Sequence, residues 1–241
     1  MQKLKLTISY DGSGFQGSQI QPKKETVHGT LLKALKYLNI NETLEFSGRT
    51  DKEVHAFRQV VSLPLPSYLQ DTKKLQKTLN ELLPKSIYVR NAQIVNKEFH
   101  ARFSAKSREY RYIFTNKRLS PFESRFLSHY SVVEEEKIND ALKLFVGTHD
   151  FAFFSKTGSD PKSTIRTIEE IKLYKYKELY ILRFRANSYL RSQIRMMVDF
   201  IMKISQGGLD LDDLRAQLEC KKKVSTTLAS PSGLYLSKIV Y

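Results

Sequence analysis

The sequence predicts an α+β fold of two lobes whose antiparallel sheets flank a basic cleft. Apolar residues recur with a period of two in some segments and with a helical period in others, and both halves of the chain show the same coarse succession. The 241 residues, 41% of them hydrophobic, are enough for one large domain or two small ones. Because 40 Lys and Arg residues exceed 25 Asp and Glu residues, we expect the cleft to be basic.

The first half contains two helices between strands. Leu4, Leu6 and Ile8 alternate with polar residues, which predicts a half-buried strand ending at Tyr10. Apolar residues at helical spacing from Thr26 onward predict a helix. The further elements are a strand at 44–46, a strand at 57–63, a helix with leucines at 75, 79 and 82, and a strand at 87–95. This β-α-β-β-α-β order is the split βαβ arrangement of ferredoxin-like or RRM-like lobes.

The second half repeats this succession coarsely. Its predicted elements are a strand at 110–115, a helix at 134–145, a hairpin-like pair at 165–176 and 180–184, a helix at 189–205 and a closing strand at 233–240. We therefore divide the chain into an N-terminal lobe, residues 1–105, and a C-terminal lobe, residues 106–241. Between 155 and 163 lies a non-periodic loop with two Lys, which we expect to grip RNA.

The net charge of +15 (40 − 25) indicates a polyanionic partner, such as RNA, DNA or an anionic membrane. No window approaches the roughly 18 apolar residues of a spanning helix, and the N-terminus lacks the unbroken apolar run of a signal peptide, so we expect a cytoplasmic protein. Cys220 is the one cysteine and the five His are scattered, so we expect no metal and no cofactor.

A glycine-rich segment follows the first strand. Gly12, Gly14 and Gly17 formally match G-x-G-x-x-G, the dinucleotide fingerprint, but that motif has to open a helix directly. Here Pro22 and two lysines come before the helix. We instead expect the glycines to let the backbone approach RNA closely.

The most informative stretch is residues 44–61, which places an acid in a tight loop between two apolar segments. Asp51 lies at the mouth of the second strand, and Arg49, two residues away, would keep its carboxylate ionised, as a nucleophile requires. An Asx-turn with a surface ion pair explains the same residues. The loop residues alone leave both interpretations open.

Two further segments could bind RNA or could simply be structural. On the strand after residue 106, the two-residue period places Arg108, Tyr110, Tyr112 and Phe114 on one face, either a platform for an unstacked base or a core strand. The helix at 189–205 carries an apolar seam and, beside it, two arginines one turn apart, Arg191 and Arg195. A solvated basic face would explain those arginines equally well.

Gly48-Arg49-Thr50-Asp51 followed by Val54-His55-Ala56 resembles the G-R-T-D-x-G-V-H-A signature of the TruA family of tRNA pseudouridine synthases. Further family-like motifs follow the same order along nearly the whole chain: YDG at 10–12, FHAR at 99–102, REYRY at 108–112, FVGTHDF at 145–151, RTI at 166–168, SYLRSQIRMMV at 188–198 and SPSGLYLSKIVY at 230–241. One departure is Lys52-Glu53 in place of the usual small pair, often Ala-Gly. The backbone at Glu53 must therefore avoid a glycine-only conformation or be strained.

The resemblance implies an isomerase that converts uridine to pseudouridine at positions 38, 39 and/or 40 of the tRNA anticodon stem-loop, without a cofactor. It implies that Asp51 is the catalytic nucleophile, that Tyr110 stacks on the target uracil and that Arg195 pairs with Asp51. Because the base must be flipped out, Arg49 is placed to fill the vacated space. The family also implies a homodimer.

The alternative from another functional class is a non-catalytic RNA-binding protein with two RRM-like lobes, which would use Tyr110 and Tyr112 to read single-stranded RNA. Charge and aromatic content fit both hypotheses. Asp51 distinguishes them, because a binder gains nothing from a carboxylate that faces phosphate, whereas the enzyme requires it.

Overall fold

The computed structural model describes residues 2–158 and 161–241. The chain divides into two compact units, one of Met1–Lys106 with Tyr235–Tyr241 and one of Ser107–Leu234. The RNA-gripping loop predicted at 155–163 includes Ser159 and Asp160, which lie outside the described residues. The fold is mixed α/β with mostly antiparallel strand pairing, as the sequence predicts.

The first unit has the predicted β-α-β-β-α-β order over its first hundred residues. Its elements are β1 (Lys3–Tyr10), α1 (Val27–Tyr37), β2 (Glu45–Phe46), β3 (His55–Pro64), α2 (Thr72–Leu82) and β4 (Ile87–Val95). β1 lies between β4 and β3, antiparallel to both, and β2 pairs with β3. The period of two in β1 is confirmed, since Leu4, Leu6 and Ile8 are fully buried whereas the residues between them are partly exposed.

Both helices of this unit begin at a side-chain cap. The Thr26 hydroxyl accepts a hydrogen bond from the Gly29 amide, and the Asp71 carboxylate accepts one from the Lys74 amide. Such caps satisfy amide groups that have no partner inside the helix. The leucines at helical spacing face the core and are buried: Leu31, Leu35, Leu75 and Leu79.

The second unit forms a sheet in the order β5-β9-β8-β7. Its elements are β5 (Ser107–Thr115), β6 (Ser128–His129), α3 (Glu135–Phe145), β7 (Gly147–Asp150), β8 (Ile165–Tyr176), β9 (Leu179–Ala186), α4 (Gln193–Ser205) and α5 (Leu211–Leu218). The short strand β6 pairs in parallel with β5. The sequence analysis missed β6, β7 and α5, although the N-cap of α5, Asp210, is a recognisable helix-start signal.

The helix predicted at 189–205 begins at Gln193 instead. Ser192 adopts a left-handed conformation, with φ of 58°, and the Gln193 side chain accepts a hydrogen bond from the Leu190 amide, so the chain before Gln193 cannot continue the helix. Arg191 consequently lies outside α4, and its guanidinium donates to the carbonyls of Thr157 and Gly158. The predicted pair of arginines one helical turn apart is therefore wrong.

The closing strand, β10 (Leu234–Val240), runs parallel to β3, with Tyr235 opposite His55 and Leu236 opposite Ala56. The sequence analysis assigns residues 106–241 to the second lobe, whereas residues 235–241 pack in the first unit. The reason is backbone pairing to β3, which periodicity cannot reveal. The sequence analysis predicts antiparallel sheets. Because β10 and β3 run parallel, the sheet is instead mixed.

Candidate active site

Asp51 lies in the loop of residues 47–54 between β2 and β3, where its side chain is half-buried. Arg49 is exposed on the same loop, and no described residue forms a hydrogen bond or an ion pair with it. Within the described residues Arg49 and Asp51 therefore form no ion pair, and the effect of Arg49 on the Asp51 carboxylate stays a prediction. Thr50, the residue between them, is buried.

Thr50 forms three hydrogen bonds, through its side chain, its amide and its carbonyl. Its side chain shares a hydrogen bond of 2.8 Å with the Tyr10 hydroxyl. Its amide donates to the Ser18 hydroxyl (2.9 Å), and its carbonyl accepts from the Ser18 amide (3.1 Å). Burial raises the pKa of Tyr10 to about 12, so this phenol stays protonated at neutral pH. These bonds fix the backbone immediately before the Asp51 carboxylate.

Two glycines of the 12–17 segment lie directly against the Asp51 loop. A Cβ on Gly12 would be 2.1 Å from the Val54 carbonyl oxygen, and a Cβ on Gly17 would be 2.9 Å from the Thr50 carbonyl oxygen. Gly17 also has a φ of +100°, which favours glycine. The sequence analysis expects these glycines to approach RNA, whereas the structure explains Gly12 and Gly17 by their contact with the protein's own loop.

Gln59, fully buried on β3, fixes the other end of the loop. Its amide nitrogen donates to the Gly48 carbonyl at 2.9 Å, and its amide oxygen accepts from the Ser47 hydroxyl at 2.5 Å. Both the nitrogen and the oxygen of the buried Gln59 amide are hydrogen-bonded. This favours one conformation of the loop, because the loss of either hydrogen bond would leave a buried polar atom unpaired.

His55, at the start of β3, connects the loop to the glycine-rich segment. Its Nδ1 accepts the Gly12 amide hydrogen at 3.0 Å and lies 3.3 Å from the Asp11 carboxylate. The Tyr235 ring of β10 stacks on the imidazole, with 4.7 Å between ring centroids. His55 therefore serves the loop as a support.

The second unit carries the other two predicted site residues. Tyr110 lies on β5 opposite Phe184 of β9, is 7% exposed, and meets the Tyr189 ring edge-on at 5.3 Å. Tyr112 on the same face is fully buried and donates to the Ser128 hydroxyl. For Tyr112 the core-strand interpretation is correct and the stacking platform is wrong.

Arg195 lies in the third residue position of α4 and is half-buried. Its Nε donates to the Ala229 carbonyl at 2.8 Å, and the Ala229 amide donates back to the Arg195 carbonyl at 3.1 Å. One edge of the guanidinium is thus fixed. The pairing of Arg195 with Asp51 stays a prediction.

A family profile described as tRNA pseudouridine synthase matches residues 6–104 and 141–241, and the first of these ranges contains the whole Asp51 loop. The chain belongs to this family. The predicted TruA resemblance is thereby confirmed. Proteins named tRNA pseudouridine synthase A are similar to this pseudouridine synthase along its entire length.

Three relatives illustrate the similarity. The Campylobacter jejuni protein is 42% identical over 241 residues, which cover 100% of both chains. The Wolinella succinogenes protein is 41% identical over 241 residues, covering 100% of this chain and 95% of the relative. The Limosilactobacillus reuteri protein is 36% identical over 250 residues, covering 100% of this chain and 97% of the relative.

The strain expected at Glu53 of this pseudouridine synthase is present, since its φ is 64°. A non-glycine residue in the left-handed region costs about 1–2 kcal/mol, against about 0.5–1 kcal/mol of extra chain entropy that a glycine would lose on folding. We expect Glu53→Gly to raise the free energy of unfolding by up to about 1 kcal/mol, measured by urea denaturation.

Lys52→Gly is the matched control, because both variants delete the exposed Lys52–Glu53 ion pair of 3.2 Å. Lys52 is absent from the described residues with positive φ, so a glycine there brings only the entropic cost. If the free energy of unfolding of Glu53→Gly is equal to or lower than that of Lys52→Gly, the backbone at Glu53 is not strained.

The residues that the structure describes present no arrangement typical of a metal site. Within residues 2–158 and 161–241, no three His, Cys, Asp or Glu side chains cluster as ligands would. Over the same residues, none of the helices combines the length and the apolar character needed to cross a membrane.

Proposed function

We propose that this pseudouridine synthase isomerises uridine 38, 39 or 40 in the anticodon stem-loop of tRNA, with Asp51 as the catalytic nucleophile. The observation that carries the proposal is the placement of Asp51, half-buried on a loop that Thr50, Gln59 and two glycines hold rigidly. A catalytic group held in one position needs little reorganisation when the substrate binds.

The reaction is redox-neutral and needs no added reactant. The C1′–N1 glycosidic bond of uridine breaks, the uracil turns while it is held, and a C1′–C5 bond forms; C5 loses its hydrogen and N1 gains one. The Asp51 carboxylate can add to the sugar or the base, or accept a proton from the sugar. Each of these routes requires an ionised carboxylate beside the target nucleoside.

The target uridine must leave the helical stack before it reaches Asp51. Arg49 is exposed on the catalytic loop without an ion pair to any described residue, which supports a role in occupying the vacated position. Tyr110, with its ring ordered by Tyr189, would then stack on the flipped base.

The family resemblance also motivates proposals about the whole protein. We infer that it works as a cytoplasmic homodimer and that its two units, which divide near residues 105–106 apart from the closing strand, correspond to ferredoxin-like lobes. The net charge of +15 fits a tRNA partner.

Release of tritium from tRNA labelled at uridine C5 tests the activity, because the C5 hydrogen leaves when C5 becomes the glycosidic carbon. The purified protein should release tritium from an unmodified transcript, and changing the uridines at 38, 39 and 40 to cytidines should stop release. Continued release from that tRNA would overturn the positional assignment. Tight binding without release from any tRNA would favour the non-catalytic RNA-binding protein.

Arg195→Ala should lower kcat more than it weakens tRNA binding, because we assign Arg195 to pairing with the Asp51 carboxylate in the reacting complex. We expect a loss of about 100-fold in kcat, roughly 2.7 kcal/mol of transition-state stabilisation. Arg118→Ala, which removes one exposed positive charge from the same unit, should leave kcat unchanged. Equal losses in the two variants, or wild-type kcat in Arg195→Ala, would show that the family pairing does not apply here.

A further inference from the structure

A cavity on the sheet of the first unit is lined by four cations, and we call it the sheet groove. It has a volume of about 320 Å³ and is lined by Lys5, Thr7, Arg58, Val60, Arg90, Asn91, Lys238, Ile239 and Tyr241. No residue of the Asp51 loop, 47–54, and no acidic residue contributes to this lining. The sheet groove and the Asp51 loop therefore share no residue.

The strand register brings these residues to one face of the sheet. Thr7 pairs with Asn91 of β4 and with Val60 of β3, so these three side chains point the same way. Lys5 lies two residues before Thr7 on β1, and Arg58 lies two residues before Val60 on β3. Both side chains line the same groove. Leu4 and Leu6 point to the opposite, buried face. The groove therefore lies on the face of the sheet opposite to the one that carries Leu4 and Leu6.

The cations of the sheet groove have no acidic partners among the described residues. Arg58, Arg90 and Lys238 are exposed, and neither they nor Lys5 form an ion pair there. Lys5 instead lies over an aromatic ring, with its Nζ 4.6 Å from the centroid of Tyr241, and burial lowers its pKa. Four uncompensated like charges repel one another, so the groove is suited to an anionic ligand.

The Glu45 carboxylate lies near this face. Glu45 of β2 is opposite Ser62, which is itself opposite Lys5. That carboxylate is already engaged by the Lys3 ammonium at 3.0 Å and lies 3.4 Å from the His100 imidazole. It leaves the positive charge of the groove uncompensated.

We propose that the sheet groove is a second RNA-binding site, which takes backbone phosphates of the tRNA outside the anticodon stem-loop. The groove crosses four strands, β4, β1, β3 and β10, and therefore extends about 14 Å at the usual strand spacing. An elongated polyanion fits this shape better than one small anion does. The Tyr241 ring, tilted against Phe99, adds an aromatic surface beside the phosphates.

A second copy of the chain is the competing occupant. A two-fold contact through this face would oppose four cations with four cations, and like charges brought together at an interface cost several kcal/mol. The observations therefore favour RNA.

The test is the triple variant Arg58→Ala, Arg90→Ala, Lys238→Ala, which leaves the partly buried Lys5 in place. We measure Kd and its salt dependence for full-length tRNA and for the isolated anticodon stem-loop. The triple variant should weaken tRNA binding about tenfold or more and reduce the slope of log K against log salt by about 3, because each lysine or arginine on a phosphate contributes about 1. Binding of the stem-loop should be unchanged, as should kcat at saturating tRNA.

Two variants serve as controls. Lys33→Ala, Lys36→Ala, Lys77→Ala removes the same charge from exposed helix positions of the same unit and should bind tRNA within about twofold of wild type. Arg58→Lys, Arg90→Lys retains the charges and should restore binding. Matched unfolding curves establish that each variant is folded.

Three outcomes would overturn the inference: wild-type tRNA binding by the groove triple, equal loss for tRNA and the stem-loop, or conversion of a dimer to a monomer without loss of RNA binding. The inference rests on tRNA being the substrate. If wild-type protein releases no tritium from tRNA, the proposed function fails. If it does release tritium while the groove triple binds normally, the groove inference alone fails.

Discussion

Asp51→Asn is expected to bind tRNA with wild-type affinity and to release no measurable tritium. The amide keeps the size and most of the hydrogen-bonding reach of the side chain but loses its charge and nucleophilicity. Removing a residue that only positions RNA costs about 10- to 100-fold, whereas removing a nucleophile or essential base should cost about 10⁴-fold or more. Single-turnover tritium release at matched RNA occupancy measures this difference.

Glu53→Gln is the matched control for Asp51→Asn, because it neutralises a carboxylate two residues away in the same loop. It should retain rates within about threefold of wild type, a change of under 1 kcal/mol in the barrier. A loss of the same size in both variants would mean that loop charge, and not a particular carboxylate, sets the rate. Wild-type activity of Asp51→Asn would remove Asp51 from the mechanism.

Gly12→Ala should be the most damaging substitution outside the catalytic residue. Its methyl group would lie 2.1 Å from the Val54 oxygen and 2.5 Å from the Val54 carbonyl carbon, and backbone atoms cannot rotate away as a side chain would. We expect a loss of about 3 kcal/mol or more in the free energy of unfolding, at or beyond the upper end for overpacking. Urea denaturation measures this loss.

The rate of tritium release by Gly12→Ala should also fall, by about 100-fold. Relief of the clash moves the Asp51 loop, and a catalytic group tolerates only a small displacement. Gly14→Ala is the control: a Cβ there meets nothing within 4 Å, so stability should stay within about 0.5 kcal/mol of wild type. The close packing of the loop would be refuted if both alanine variants behaved alike.

Periodic signals in the sequence were sufficient for most elements of the fold. The alternation in β1 and the spacing of Leu75 and Leu79 in α2 report which face is buried, and both agree with the structure. Leu82, at the end of α2, is predicted on the same face but is 43% exposed. The same reasoning could not decide between a core face and a binding face for Tyr112, because an aromatic strand has the same period in either case.

The residues that support the Asp51 loop carry no periodic signal. Gln59 and Ser18 are single buried polar residues, and their partners lie 11 and 32 residues away in the chain. Gly12 is explained by a carbonyl oxygen at position 54, a contact that only the fold creates. These residues could be recognised only after β1 and β3 had been brought side by side.

The parallel pairing of β10 with β3 has a consequence for synthesis of the protein on the ribosome. Residues 235–240 emerge after the whole second unit, yet they supply the ring that stacks on His55, next to the Asp51 loop. A nascent chain that stops before Tyr235 therefore exposes the edge of β3 and leaves His55 unsupported, whatever the state of its other strands. The support of His55 by Tyr235 thus becomes possible only after the second unit has been synthesised.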